Sequence, residues 1–318
     1  MKTKTIEVAG VSAAPGTKTS RVIGLTLAGV ATKMPLFVIN GQQDGPVVVI
    51  TAAIHGSEYV GTAAATQLAK TLDPAQVHGA VVIVPVCSMT AFVKRAIYLA
   101  PPDDKNLNRC FPGKADGSFA EQLAHWITTN LISRADIYMD LHGGDMNEAL
   151  VPFSIVKRTG NAELDAKAVE LARIFGLPNL VVSEVKGSTV AAAADAGVLA
   201  VLTEVGGQGL WSAAEVEQMG DGLRRVMTHY GCAALPAPPA PPSRILEAFE
   251  WLRSSHDGMF YPLCRVGDEV KKGQKLGYVT DYLGNLVQEA ISPCDGVVLF
   301  LVTTLAMNNN DPLLAVGA

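Results

Sequence analysis

Residues 47–54 read Val-Val-Val-Ile-Thr-Ala-Ala-Ile, an apolar and largely β-branched run bounded upstream by Gly45-Pro46. Apolar residues at every position, without alternation, are the mark of a strand buried on both faces in a parallel sheet. Residues 80–86, Ala-Val-Val-Ile-Val-Pro-Val, repeat the pattern after an Ala-rich helical stretch at 59–72 and the break Asp73-Pro74. This β-α-β order predicts parallel pairing with a right-handed crossover. Two further strands are expected at 137–141 and 198–203, with helices at 119–133 and 162–175, and shorter strands at 21–26 and 36–40. A chain of this kind folds as α/β.

Open α/β sheets bind ligands at the carboxyl ends of their strands, which makes the residues following each run the candidates for chemistry. The first run ends in His55-Gly56-Ser57-Glu58. An imidazole and a carboxylate three residues apart at a strand-to-helix turn can face one centre, and nitrogen plus oxygen donors suit zinc. A catalytic zinc usually takes three protein ligands and keeps a position for water. The pair alone is weak, since a helix-starting Glu is favoured by the helix dipole whatever its job. The third run ends in His142-Gly143-Gly144 and offers the missing ligand, with Asp140 two residues earlier on the same strand face and placed to hydrogen-bond within the site. The fourth ends in Glu204-Val205-Gly206-Gly207. A carboxylate beside an activated water is what amide hydrolysis requires for proton transfer, so Glu204 is the candidate acid/base.

Between the second and third strands lies a polar, Pro-rich segment at 94–113, too long for a plain connection and read as a binding loop. It carries Asn106-Leu107-Asn108-Arg109. Arg109 offers a planar fork for a carboxylate and Asn108 a neutral donor, whereas Asn106 is expected to have no site role.

Hydrophobic residues make up 49% of the 318 residues and charged residues 17%, which excludes a disordered chain, and no apolar run approaches the roughly 18 residues of a membrane span. A net charge of -5 argues against nucleic acid as a partner. The opening MKTKTIEVAG lacks the apolar core of a signal peptide, so a cytoplasmic protein with no membrane association is expected. Five scattered cysteines without a CxxC pair read as free thiols. The Pro-rich stretch at 235–242 marks a linker, dividing a catalytic domain at 1–234 from a β domain at 243–318. The remaining histidines, His78, His125, His229 and His256, lack strand-end placement and are read as structural.

HGSE, NLNRCFPG, DLHGG and TEVGG, in that order, resemble the succinylglutamate desuccinylase and aspartoacylase family, a branch of the zinc carboxypeptidase fold, over about residues 35–318. The resemblance implies a mostly parallel or mixed sheet flanked by helices, with a small C-terminal all-β domain of barrel-sandwich type. It implies one zinc per chain held by His55, Glu58 and His142, Glu204 as general acid/base, and Asn108 and Arg109 as binders of the substrate carboxylate. The substrate class implied is a small anionic N-acyl amino acid, cleaved at its amide. A carboxypeptidase acting on short peptides and a catalytically idle binding or scaffold protein are the alternatives, and the sequence leaves room for a homo-oligomer. One departure stands out. Where relatives carry another arginine, a few residues before a Pro-x-Asp, this chain has Tyr98, with Arg95 nearby, and either is the candidate to steady the oxyanion. The C-terminal text resembles a biotinyl or lipoyl carrier domain without the carrier lysine, which points to a wall over the active site, with Tyr282 or Tyr261 as contacts.

Overall fold

The structure is a computed structural model that describes residues 4–318. Along the chain, the elements that build the site are β1 (Thr17–Leu27), β2 (Val30–Asn40), β3 (Gln43–Ala52), α1 (Tyr59–Thr71), β4 (His78–Val84), α2 (Met89–Lys94), α3 (Phe119–Asn130), β5 (Ile137–His142), β6 (Glu148–Leu150) and β7 (Phe153–Lys157). There follow α4 (Ala162–Phe175), β8 (Asn179–Ser183), α5 (Thr189–Asp195), β9 (Leu199–Glu204) and α6 (Ala213–His229). The C-terminal part contributes β10 (Arg244–Leu246), β11 (Phe249–Arg253), β12 (Gly258–Pro262), β13 (Lys275–Thr280), β14 (Leu286–Ile291), β15 (Gly296–Val302) and β16 (Pro312–Gly317).

One nine-stranded sheet, ordered β10-β8-β7-β9-β5-β3-β4-β2-β1, forms the frame. The apolar runs β3, β4, β5 and β9 lie side by side and parallel at its centre, as their two-faced hydrophobicity requires. Antiparallel pairs flank this centre, β2 on β4 and β7 on β9, so the sheet is mixed. The two strands expected near the N-terminus are a hairpin of eleven residues each, turning at Ala28-Gly29. Two large apolar clusters cover the sheet. One gathers Phe119, Leu123 and Tyr138 with neighbours from α3 and α5, the other Leu68, Phe175 and Leu223 from α1, α4 and α6.

The C-terminal residues form two smaller antiparallel sheets, one of them containing β11, β15 and β16 and the other β12, β13 and β14. They are tied into the frame at two places. β10, directly after the Pro-rich stretch, extends the large sheet by pairing in parallel with β8. β6, which follows the strand that ends in His142, pairs with β15 so that Leu150 meets Phe300. A bridging core of Phe153, Val181, Leu246, Val297 and Leu299 fills the join. No described helix is long and apolar enough to cross a membrane.

The contact that positions the site is between α1 and β5. Val60, Gly61, Ala64, Ala65, Leu68 and Ala69 form the buried stripe of α1 at the i, i+4 spacing of an amphipathic helix, and their small size lets the helix sit close to the sheet. A Cβ on Gly61 would stand 2.7 Å from the Leu141 carbonyl oxygen, a backbone atom that cannot yield. Gly61→Ala should therefore lose more through overpacking, about 1–3 kcal/mol, than the roughly 1 kcal/mol it gains in helix propensity. Thermal melts should show a lowered Tm and elemental analysis a weakened metal affinity, because the helix start moves off β5.

Candidate metal and catalytic site

β3 ends at Ala52, and Ala53 turns the backbone through a positive φ of 49°, after which His55 and the start of α1 follow at once. Glu58 occupies the N-cap of α1, yet its carboxylate makes no capping bond to the helix. It is used elsewhere. Glu58 Oε1 lies 2.6 Å from His55 Nδ1 and Oε2 lies 2.9 Å from His142 Nδ1, the three side chains coming from the end of β3, the start of α1 and the end of β5. The His55 and His142 rings stand edge to face, with centroids 5.0 Å apart. His142 and Glu58 are buried.

This trio fits a divalent metal. All three offer ligand atoms within 4.8 Å of one another. Glu58 Oε2 is buried without a hydrogen-bond partner despite its closeness to His142, which is how a carboxylate oxygen facing a metal is left. The outer partners are those a ligating imidazole needs. His142 Nε2 is 2.9 Å from Asp140 Oδ2, and Asp140 in turn accepts from the Thr51 hydroxyl at 2.6 Å and the Thr189 hydroxyl at 2.5 Å. His55 Nε2 is 3.1 Å from Asn106 Oδ1.

The electrostatics point the same way. Burial disfavours charge on Glu58, but His142 and His55 outweigh it and hold the carboxyl down at about 2. Burial likewise pulls His142 down, and Glu58 and Asp140 overcome it and carry the imidazole well above its ordinary range. Around them the acids are crowded: burial, with Glu58 next, lifts Asp145 to about 6, and burial, with Asp145 next, lifts Glu148 to about 8. Glu204 is pushed well above the usual carboxylate range, first by burial and then, against the pull of His142, by Glu58, Glu148 and Asp140. A cation bound among these carboxyls would favour their ionised forms.

Glu204 is the last residue of β9 and pairs in register with His142 across the parallel ladder. Beyond both strand ends the backbones stay together, since Val205 N–H donates to the His142 carbonyl at 3.2 Å and Gly144 N–H to the Gly206 carbonyl at 2.9 Å. Gly143 is required here, because a Cβ would stand 2.4 Å from the Val205 carbonyl oxygen.

A cavity of about 920 Å³ opens over these residues, lined by His55, Glu58 and Glu204, by Asn108 and Arg109, and by Tyr98. The loop expected to bind substrate enters it as a single 3₁₀ turn, Leu107–Arg109. The Asn106 side chain caps that turn by accepting from Asn108 N–H at 2.8 Å, while Asn108 Oδ1 accepts from Thr189 N–H at 2.9 Å, which pins the loop to α5. Arg109 donates to the Asn108 carbonyl at 2.8 Å and is held below its ordinary range by burial and then by Arg253, partly offset by Glu204. Tyr98 has a left-handed backbone, φ 29°, fastened by its N–H to Asp145 Oδ2 at 2.9 Å.

Two expectations need correction. Arg95 ends α2 as an exposed residue in the left-handed conformation and does not line the cavity. Tyr282 is 72% exposed in the turn between β13 and β14 and does not line the cavity, and Tyr261 stacks on Tyr278 at 5.1 Å outside it. The C-terminal residues that do line it include Phe249, Trp251, Arg253 and Phe300, with the carboxylates Glu250 and Asp311. Asn106, read as a bystander, holds both the loop turn and His55. Asp145 and Glu148 were not singled out, although their place in the polar stretch just after His142 was a signal.

Residues 44–230 match the model of the succinylglutamate desuccinylase/aspartoacylase catalytic domain. The chain is 28% identical over 300 residues to an N-alpha-acetyl-L-2,4-diaminobutyric acid deacetylase of Halomonas elongata, covering 90% of this chain and 86% of that one. Among solved structures it resembles the product-bound ectoine utilization protein EutE of Ruegeria pomeroyi, with a TM-score of 0.86, 27% identity and 95% of each chain covered. It also resembles a succinylglutamate desuccinylase/aspartoacylase of Rhodobacter sphaeroides, with a TM-score of 0.84, 26% identity and 94% of each chain covered.

The metal assignment is tested by elemental analysis of the purified chain. Wild type should retain about one divalent ion per chain, the stoichiometry of a site with three protein ligands, and His142→Ala should retain none; full metal content in the variant removes His142 from the site.

Proposed function

The chain belongs to the succinylglutamate desuccinylase/aspartoacylase family, and on that premise we propose that it is a zinc-dependent deacylase that hydrolyses the amide of a small N-acyl amino acid. The observation that carries the reading is the convergence of three strand ends: Glu58 between His55 and His142, with Glu204 in register beside His142 and facing the same cavity as Arg109. Zinc bound by His55, Glu58 and His142 would supply a water nucleophile at neutral pH and a Lewis acid for the scissile carbonyl.

The remaining work falls to the chain's own groups. Arg109 and Asn108 hold the substrate carboxylate and so place the amide over the site. Glu204 takes a proton from the attacking water, then delivers it to the amide nitrogen as the C–N bond breaks, releasing a carboxylate and an amine. A carboxyl whose burial raises its proton affinity is suited to holding the proton between the two steps, and a bound cation would favour the ionised form that takes it. Asp140 keeps His142 in one orientation through Nε2. Tyr98, in the place where relatives carry an arginine, is the candidate donor to the oxyanion. The apolar wall of Leu150, Phe153, Phe249 and Phe300 accommodates the rest of the substrate and excludes water. The deacetylase relative makes N-acetylated amino acids, N-acetyl-L-2,4-diaminobutyrate among them, the first compounds to assay.

A panel of N-acetyl, N-succinyl and longer N-acyl amino acids, run beside short peptides, tests the class: turnover confined to peptides would replace the deacylase reading with a carboxypeptidase. Glu204→Gln should keep its zinc and its KM while kcat falls by about two orders of magnitude or more; wild-type kcat in that variant ends the assignment. Tyr98→Phe should lower kcat with little change in KM, since the negative oxygen exists only near the transition state, and an unchanged kcat returns the oxyanion to the metal and backbone alone.

A further inference from the structure

We propose that Arg253, contributed by the C-terminal β region, is a second anion ligand of the active site and works with Arg109 as a two-guanidinium clamp on the carboxylate of the substrate. The inference rests on the deacylase reading above and deepens it, because it makes the C-terminal strands part of substrate recognition as well as a wall.

Arg253 is the last residue of β11, and the pairing of β11 with β16 shifts register between Leu252 and Arg253. Such irregularities re-aim the side chain that follows them. Arg253 lines the same cavity as His55, Glu58, Arg109 and Glu204. Its guanidinium is held from one side, with Nη1 donating to the Asn310 carbonyl at 2.9 Å and the Trp251 ring centroid 5.5 Å away. A guanidinium has five N–H donors, so this anchoring leaves a fork free for a ligand.

Charge accounting sets Arg253 and Arg109 apart from the other cations in the cavity. Arg158 is neutralised by Glu247. Lys157 spends its ammonium on the carbonyls of Glu184 and Val185. Among the described residues, Arg109 and Arg253 have backbone carbonyls as their polar partners and no carboxylate in ion-pair contact. They also feel each other, Arg253 being the next influence after burial that weakens the hold of Arg109 on its proton. Glu204 acts on Arg109, and Glu250 and Asp311 line the same cavity without ion-pairing either guanidinium, so both forks stay open to a substrate carboxylate. A carboxylate has two oxygens and can meet a guanidinium with each. The reacting amide then lies between the strand-end residues of the large sheet and an anion grip built from both parts of the chain.

The test compares Arg253→Ala, Arg253→Gln and Arg109→Ala on the fastest-hydrolysed N-acyl amino acid of the panel and on its carboxamide, which lacks the anion. Arg253→Gln keeps a polar side chain of shorter reach and removes the charge together with the guanidinium's contacts to the Asn310 carbonyl and Trp251. Both Arg253 variants should keep wild-type zinc content and kcat, and raise KM for the acid by about tenfold or more, the scale of a lost charge-assisted hydrogen bond. On the carboxamide they should match wild type. An unchanged KM for the acid, or the same rise on acid and carboxamide, overturns the clamp. Failure of the deacylase reading shows separately, as wild-type protein that turns over neither compound. In that event calorimetric titration with N-acetyl-L-2,4-diaminobutyrate decides: equal affinity of wild type and Arg253→Gln overturns the proposal, and weaker binding by the variant upholds the anion site.

Discussion

Everything in the site hangs on one carboxylate. Glu58 places its two oxygens against the Nδ1 atoms of two imidazoles whose positions in the chain are 87 residues apart. That contact exists only if β3 and β5 are adjacent and parallel, so that both strand ends stop at the same level, and only if α1 starts low enough against β5 for its N-cap residue to reach between them. The ladder meets the first demand, pairing Ala52 with Leu141. Gly61 meets the second by resting on the carbonyl of Leu141, the residue before His142. Glu58 forgoes the capping bond that its position would otherwise supply, a local loss accepted because the imidazoles compete better for its oxygens.

Around this centre, burial and then neighbouring negative charge raise the proton affinity of the acids. Glu204, Asp145 and Glu148 are all raised, burial being the largest cause in each. A divalent cation at His55, Glu58 and His142 would relieve that crowding, which is why the donor set and its surroundings argue for the same occupant. The ring of support is hydrogen-bonded throughout. Asp140 is fixed by two hydroxyls before it meets His142, and Asn106 joins the loop turn to His55, so the loop that carries Arg109 is coupled to a metal-ligand candidate by a single amide.

The division of labour follows from the topology. The parallel centre of the sheet brings together the candidate residues of the chemistry, since parallel strand ends are where several strands stop together. What covers those ends is the 3₁₀ turn at Leu107–Arg109 and C-terminal strands tied to the large domain by the pairing of β6 with β15, and both line the cavity. β6 begins six residues after His142, so the chain that carries a candidate ligand also carries the strut for its roof.

The sequence alone determined the α/β class, the central parallel strands, and the strand-end residues His55, Glu58, His142 and Glu204, because two-faced hydrophobicity and strand-end placement are local and survive without coordinates. The four ordered motifs supplied the family in the same way. Only the tertiary structure decided the rest. Short strands such as β6, β7 and β8 carry too few residues for a clear pattern, and their places depend on partners distant in the chain. Asn106 acquired its part from the direction of one side chain toward His55, and Asp145 and Glu148 from burial that packing imposes. Arg95 and Tyr282 lie near site residues in the text or in a plausible wall, yet a left-handed helix end and an exposed turn keep them away from the cavity. Arg253 gives no local sign at all: its place depends on a register shift in β11 and on two sheets meeting, and a side chain's distance from another 144 positions away is set by packing, which no stretch of sequence encodes by itself.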